Sequence, residues 1–191
     1  AESEVEQMRK EVQKYVSINY VNQIRIRDLE KQIQEIKGER AEIEYPTEYS
    51  QIPQWVEDHF CGKIELSNRA LRTLKEAVYC DIELVGKALE LLATEYFDLK
   101  LGMGDKKAYD TKLKELYLKD ELAISDVSAG EQGEEYYIMY NGHRKKFNKH
   151  LMKGDGRDPR KCLRIYYFWD DETNMVVIGS LPYHLNIRSS N

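Results

Sequence analysis

Leu163-Arg-Ile-Tyr-Tyr-Phe-Trp169 and Met175-Val-Val-Ile-Gly-Ser-Leu181, separated by the polar run Asp170 to Asn174, read as the two strands of a β-hairpin. Both runs are short, rich in β-branched and aromatic residues, and bounded by turn formers. Upstream, Glu135 to Tyr140 and His143 to Leu151 flank Asn141-Gly142, the dipeptide that a two-residue hairpin turn favours because both central residues need positive φ. Four antiparallel strands are therefore expected in the last third of the chain.

Before Gly130 the periodicity changes from two to about 3.6. Lys63 to Leu66 reads as a short strand. Ser67 then stands where a helix N-cap belongs, ahead of Ala70, Leu71, Leu74, Ala77 and Val78 on one face. Asp81 caps a second helix, whose Ile82, Val85, Leu89, Leu92, Tyr96 and Leu99 recur at three and four until Gly102. A third, more polar helix is expected from about Asp105 to Leu122. The predicted fold class is α+β: strand, two-helix hairpin, extra helix, then an antiparallel sheet of about four further strands, with helices on one face and the other face partly open.

The N-terminal stretch follows a different rule. Counting in sevens places Val5, Val12, Asn19, Ile26 and Ile33 at position a, and Met8, Tyr15, Asn22, Leu29 and Ile36 at position d. Eight of these ten are apolar or aromatic, with no Pro or Gly before Gly38. Such a helix needs another helix to cover its seam. A buried Asn pairs with its symmetry mate and fits poorly in a shifted register, which favours a parallel homodimer. The alternative is that the helix folds back on its own domain or joins a hetero-assembly. The expected organisation is a coiled-coil oligomerisation helix over 1–38, a linker with a short docking helix over 39–61 built around Trp55, Val56 and Phe60, and an α+β domain over 62–191.

Composition limits the function classes. The chain has 191 residues, 33% of them charged, and a net charge of −5, so it is not basic overall. Yet Arg144, Lys145, Lys146, Lys149, Lys153, Arg157, Arg160, Lys161 and Arg164 crowd into one stretch opposed by only Asp155 and Asp158. That is a footprint suited to phosphate, or a solvated hairpin whose charges protect an edge. Cys61, Cys80 and Cys162 are too few and too far apart for a disulfide framework, which suits a reducing, cytoplasmic compartment. No CxxC or HxxxH spacing accompanies His59 and Cys61, so neither a metal nor a cofactor is expected. No apolar run reaches the ~20 residues of a membrane span. Beginning in mid-pattern on Ala1, the sequence reads as a piece of a longer chain.

Three phrases carry a family resemblance. Lys63-Ile-Glu-Leu-Ser-Asn-Arg-Ala-Leu-Arg-Thr-Leu-Lys75 is similar to the first strand and helix of the RelE/ParE toxin superfamily, Ala88-Leu-Glu-Leu-Leu92 to its second helix, and Arg164 to Asp170 with Met175 to Gly179 to its closing hairpin. The resemblance covers about residues 62–185. The helix at 105–122, the long region from His143 to Arg160 and the coiled coil are additions, pointing to a fused effector domain in bacterial defence. What the resemblance implies is a ribosome-associated, metal-independent endoribonuclease that cleaves messenger RNA through its 2′-hydroxyl, or, on the ParE side, a topoisomerase-binding domain.

RNA cleavage of that kind needs a proton acceptor, cations for the crowded phosphate and an acid for the leaving oxygen. By position in the resemblance, Arg164 would stabilise the phosphate and His184 would act as general acid or base, with Lys146, Lys149 and His150 on the preceding strand completing the pocket. Arg144, Lys145, Lys149, Lys153, Arg157 and Arg160 would bind the nucleic-acid backbone. Each also has a plain structural role: Arg164 can pair with Asp170 or Asp171, and His184 can be a surface residue. The competing expectation is a non-catalytic interaction module that binds a protein partner or DNA within a larger complex.

Overall fold

In the computed structural model, residues 2–38, 43–123 and 133–185 are described. Two compact units divide near Glu44 and Tyr45. The first is one helix, α1 (Glu2–Gly38), with the extent the heptads predict. Its seam residues Val5, Met8, Val12, Tyr15, Ile26, Leu29 and Ile33 are 49 to 64% exposed. Asn19 and Asn22 are exposed as well. The side chain of Ile36 lies outside the described residues.

The second unit begins at Tyr45, inside the stretch expected to be linker. A 3₁₀ turn (Tyr49–Gln51) leads into α2 (Ile52–Phe60), with Pro53 in its first turn. Ile52, Trp55, Val56 and Phe60 are buried, so α2 docks as its spacing predicts. Tyr45 donates to Glu90, and Tyr49 donates to the Tyr79 carbonyl at 2.8 Å. These two hydroxyls fasten the segment to the domain rather than leaving it as a tether.

Next come β1 (Ile64–Leu66) and α3 (Asn68–Lys75), whose N-cap Ser67 accepts from the Ala70 amide. Helix α4 (Ile82–Leu91), capped by Asp81, runs through a π turn (Leu92–Tyr96) into α5 (Phe97–Lys100). Helix α6 (Lys106–Glu115) is shorter than expected. Tyr117 takes φ 55°, and Lys119–Leu122 forms β2 rather than a last helical turn. The run Lys-Asp-Glu-Leu has helix-like composition, but its backbone pairs antiparallel with β5 (Lys149–Lys153). Tertiary pairing thus overrides local preference.

The remaining strands are β3 (Tyr137–Tyr140), β4 (His143–Lys146), β6 (Leu163–Asp170) and β7 (Met175–Ser180). The expected single strand from His143 to Leu151 is broken at Phe147. β3 and β4 form a separate two-stranded sheet, while the main sheet runs β1-β7-β6-β5-β2. β1 is parallel to β7, and the other neighbours are antiparallel.

Alternation along β6 creates two cores. Tyr167 and Trp169 meet the helices, with Tyr96 against Tyr167 at 5.2 Å and Phe97 against Trp169 at 5.6 Å. On the opposite face Tyr166, Phe168 and Val177 are covered by Tyr136, Tyr140, Phe147 and Leu185. The face expected to be partly open therefore carries a second aromatic core, supplied by the β3–β4 hairpin and the segment after β7. Phe147 reaches it because Gly179 lies in a bulge of β7 and has no side chain. No described helix is long and apolar enough to cross a membrane.

Candidate functional site

The register of β5 and β6 sets His150 opposite Tyr166 and Met152 opposite Arg164. His150 stacks on Tyr166 with ring centroids 5.2 Å apart. Its Nδ1 is buried and has no hydrogen-bond partner among the described residues. Burial first, then the charges of Arg164 and His184, depress the imidazole to about 4. At neutral pH His150 is therefore uncharged, and the nitrogen without a partner keeps its lone pair or its proton without a protein contact.

Arg164 is 4% exposed, and its guanidinium is spent on the backbone. Nη1 donates to the carbonyls of Leu163 at 2.7 Å and Lys153 at 3.1 Å, and Nη2 to that of Gly154 at 2.8 Å. These bonds clamp the end of β5 and the turn that follows. Arg164 pairs with neither Asp170 nor Asp171. His184 is exposed, and its Nδ1 lies 2.6 Å from the Leu185 carbonyl. A carbonyl only accepts, so Nδ1 carries the proton and Nε2 is the free acceptor when the ring is neutral. Three of the four predicted catalytic residues thus share one end of the sheet. Lys146 belongs instead to the separate β3–β4 sheet, opposite Tyr137.

The predicted phosphate-binding cations are mostly taken. Lys149 binds Asp120 at 2.7 Å, and the same largely buried carboxylate accepts from Tyr109 at 3.0 Å and Tyr167 at 2.7 Å. Lys145 binds Asp170 at 3.2 Å. Burial alone would raise the Asp170 carboxyl, but hydrogen bonds from Thr173 and Lys145 hold it below the usual carboxylate range. Arg144 pairs with Glu134 at 3.2 Å and lies 4.0 Å over the Tyr137 ring. Arg160 turns back on Asp158, and Lys153 sits 5.8 Å from the Tyr117 ring centroid. Arg157 is exposed on the turn after β5.

The residues that sequence reasoning missed are the carboxylates. Asp120 was hidden in a presumed helix, and Asp170 looked like a turn residue. The excess of positive charge between 141 and 164 holds as a count, but the carboxylates paired with Arg144, Lys145 and Lys149 are Glu134, Asp170 and Asp120, all outside that window. Among the described residues no cluster of three or more His, Cys, Asp and Glu side chains is placed to hold a metal ion. Compared with protein-family models, curated proteins and solved structures, the chain gives no match.

Proposed function

We propose that this chain is a non-catalytic interaction module: a helix that self-associates as a parallel coiled coil, joined to an α+β domain that binds a partner through its surface. The observation that carries this reading is the commitment of Arg164. A phosphate stabiliser must offer its N–H groups to the reacting oxygens, and the Arg164 fork already donates to three backbone carbonyls with 4% of its surface exposed. The pairing of Lys145, Lys149 and Arg144 with carboxylates acts in the same direction.

A RelE-like ribonuclease is the second reading, favoured by the grouping of His150, Arg164 and His184 and by the Nδ1 of His150, which has no hydrogen-bond partner among the described residues. One experiment separates the two. The 191-residue chain is incubated with messenger RNA, with and without ribosomes, beside Arg164→Ala and His184→Ala variants whose folding is verified by circular dichroism. The module reading expects intact RNA throughout. Cuts made by the wild type and lost in His184→Ala would replace it with the nuclease.

A further inference from the structure

The β3–β4 hairpin turns through Asn141 and Gly142, both at positive φ, 48° and 76°. In a two-residue turn of this kind the flanking residues, here Tyr140 and His143, form a hydrogen-bonded pair, and bonded and non-bonded pairs then alternate. With Met139 opposite Arg144 and Tyr137 opposite Lys146, the backbone N–H and C=O groups of Met139 and Tyr137 point away from β4. Tyr137 uses its N–H on the Glu134 carbonyl. Among the described residues no strand pairs with this outer edge of β3.

The edge opens onto a groove of about 710 Å³. Its far wall is the end of β1 with the first turns of α3, including Glu65, Ser67, Arg69 and Arg72. Several of its charged side chains are held by hydrogen bonds or an ion pair. Glu65 accepts from Tyr140 at 2.8 Å, Glu134 binds Arg144, and Arg69 donates to the Glu135 carbonyl. Arg72 is exposed and meets no carboxylate within ion-pair distance among the described residues. Met139, 70% exposed, gives the edge an apolar contact.

Among the described residues the edge is unpaired and faces a groove with an exposed arginine, Arg72, that has no ion-pair partner, and with one exposed apolar side chain, and this combination suits one class of ligand. We propose that the groove takes an extended peptide segment, which pairs with the outer edge of β3 as a third strand and places a carboxylate toward Arg72 and an apolar side chain against Met139. Main-chain hydrogen bonds supply affinity in this mode, and alternate side chains supply selectivity. An open edge is normally protected by charge, proline or a covering element, and the four residues of β3 offer roughly 13 Å of strand at ~3.3 Å per residue. This inference rests on the interaction-module reading and names the partner's chemistry.

The test pans a phage library of random nine-residue peptides on the full chain and, in parallel, on Met139→Pro. Proline there removes an outward N–H while leaving the pairs to β4 intact; circular dichroism and the unfolding midpoint verify that the variant folds. The expected result is enrichment on the wild type alone of peptides alternating β-branched and polar residues with at least one Asp or Glu. A recovered peptide, followed by fluorescence anisotropy, should bind Arg72→Glu about fivefold more weakly, as for a surface ion pair. N-methylation at alternate residues should abolish its binding. Absence of enrichment, or equal enrichment on both proteins, overturns the proposal. A lower oligomeric state of Met139→Pro by sedimentation also overturns it, assigning the edge to a second copy. RNA cleavage in the assay above would remove the module reading instead, whereas failed panning with intact RNA removes the groove alone.

Discussion

A Cβ built on Gly179 would lie 1.9 Å from Cε1 of Phe147, inside the ring's own volume. Phe147 is fully buried among Tyr166, Phe168 and Val177, so it has nowhere to retreat. Gly179→Ala should therefore destabilise the domain by about 1–3 kcal/mol or more, as overpacking does, measured as a lower urea midpoint. Phe147→Leu should recover part of the loss in the double variant, because the two positions share one contact. The glycine is visible in the sequence, but its role is not: nothing in Met175 to Leu181 says which distant ring fills the missing side chain. His150 makes a second residue-scale prediction. Its folded value is about 4 against an unfolded 6.5, so the unfolded chain binds a proton first as pH falls. The neutral folded state is favoured fully above about 6.5 and loses that advantage as pH falls toward 4. The depressed Asp170 carboxyl adds to the loss at the acid end, since its contribution also disappears as pH falls. The His150 shift, from 6.5 to about 4, corresponds to about 3 kcal/mol. His150→Phe should flatten the unfolding midpoint between pH 6.5 and 4; an unchanged slope would show that the imbalance lies elsewhere.

At the level of elements, Asn19 and Asn22 are the informative positions of α1. Buried Asn at a seam gives up stability to fix alignment, so Asn19→Leu should raise the thermal midpoint of the helix and broaden its oligomer distribution in sedimentation velocity. A helix that stays in a single, less stable species would argue that Asn19 faces solvent in the assembly. The extent of α1, the caps at Ser67 and Asp81, the Asn141-Gly142 turn and the β6–β7 hairpin were all legible, because each is written by residues within a few positions of one another. β2 and the separate β3–β4 sheet were not. β2 exists through its pairing with β5 and the Asp120 contacts with Lys149, Tyr109 and Tyr167. The break before β5 exists because Phe147 enters a core whose other members come from 136, 166 and 177. For the same reason the candidate site was legible only in part: the resemblance put Arg164, His184, Lys146 and His150 together, strand alternation left open which basic residues converge, and the carboxylates that neutralise the lysines come from other elements.

For the molecule as a whole, the two units differ in what holds them together. The unit from Tyr45 carries two cores of its own, one on each face of the sheet, and needs no second copy for its buried residues. The described apolar side chains of α1 are exposed within that unit, and on the proposed self-association its seam is buried against a second copy, so its stability would depend on protein concentration. Both tryptophans, Trp55 and Trp169, lie in the second unit, so tryptophan fluorescence reports that unit, while far-ultraviolet circular dichroism reports α1 together with the helices of the second unit, and the part of the signal that fluorescence does not follow belongs to α1. For a dimer each tenfold dilution removes about 1.4 kcal/mol from the associated state. The component of the 222 nm signal that belongs to α1 should therefore melt a few degrees lower per tenfold dilution, and the component that follows the fluorescence transition should stay fixed. If both transitions move together, the helix and the domain unfold as one associating unit. If neither moves, α1 does not bind a second copy, which leaves the seam of Val5, Val12, Ile26 and Ile33 to its own domain or to a different chain.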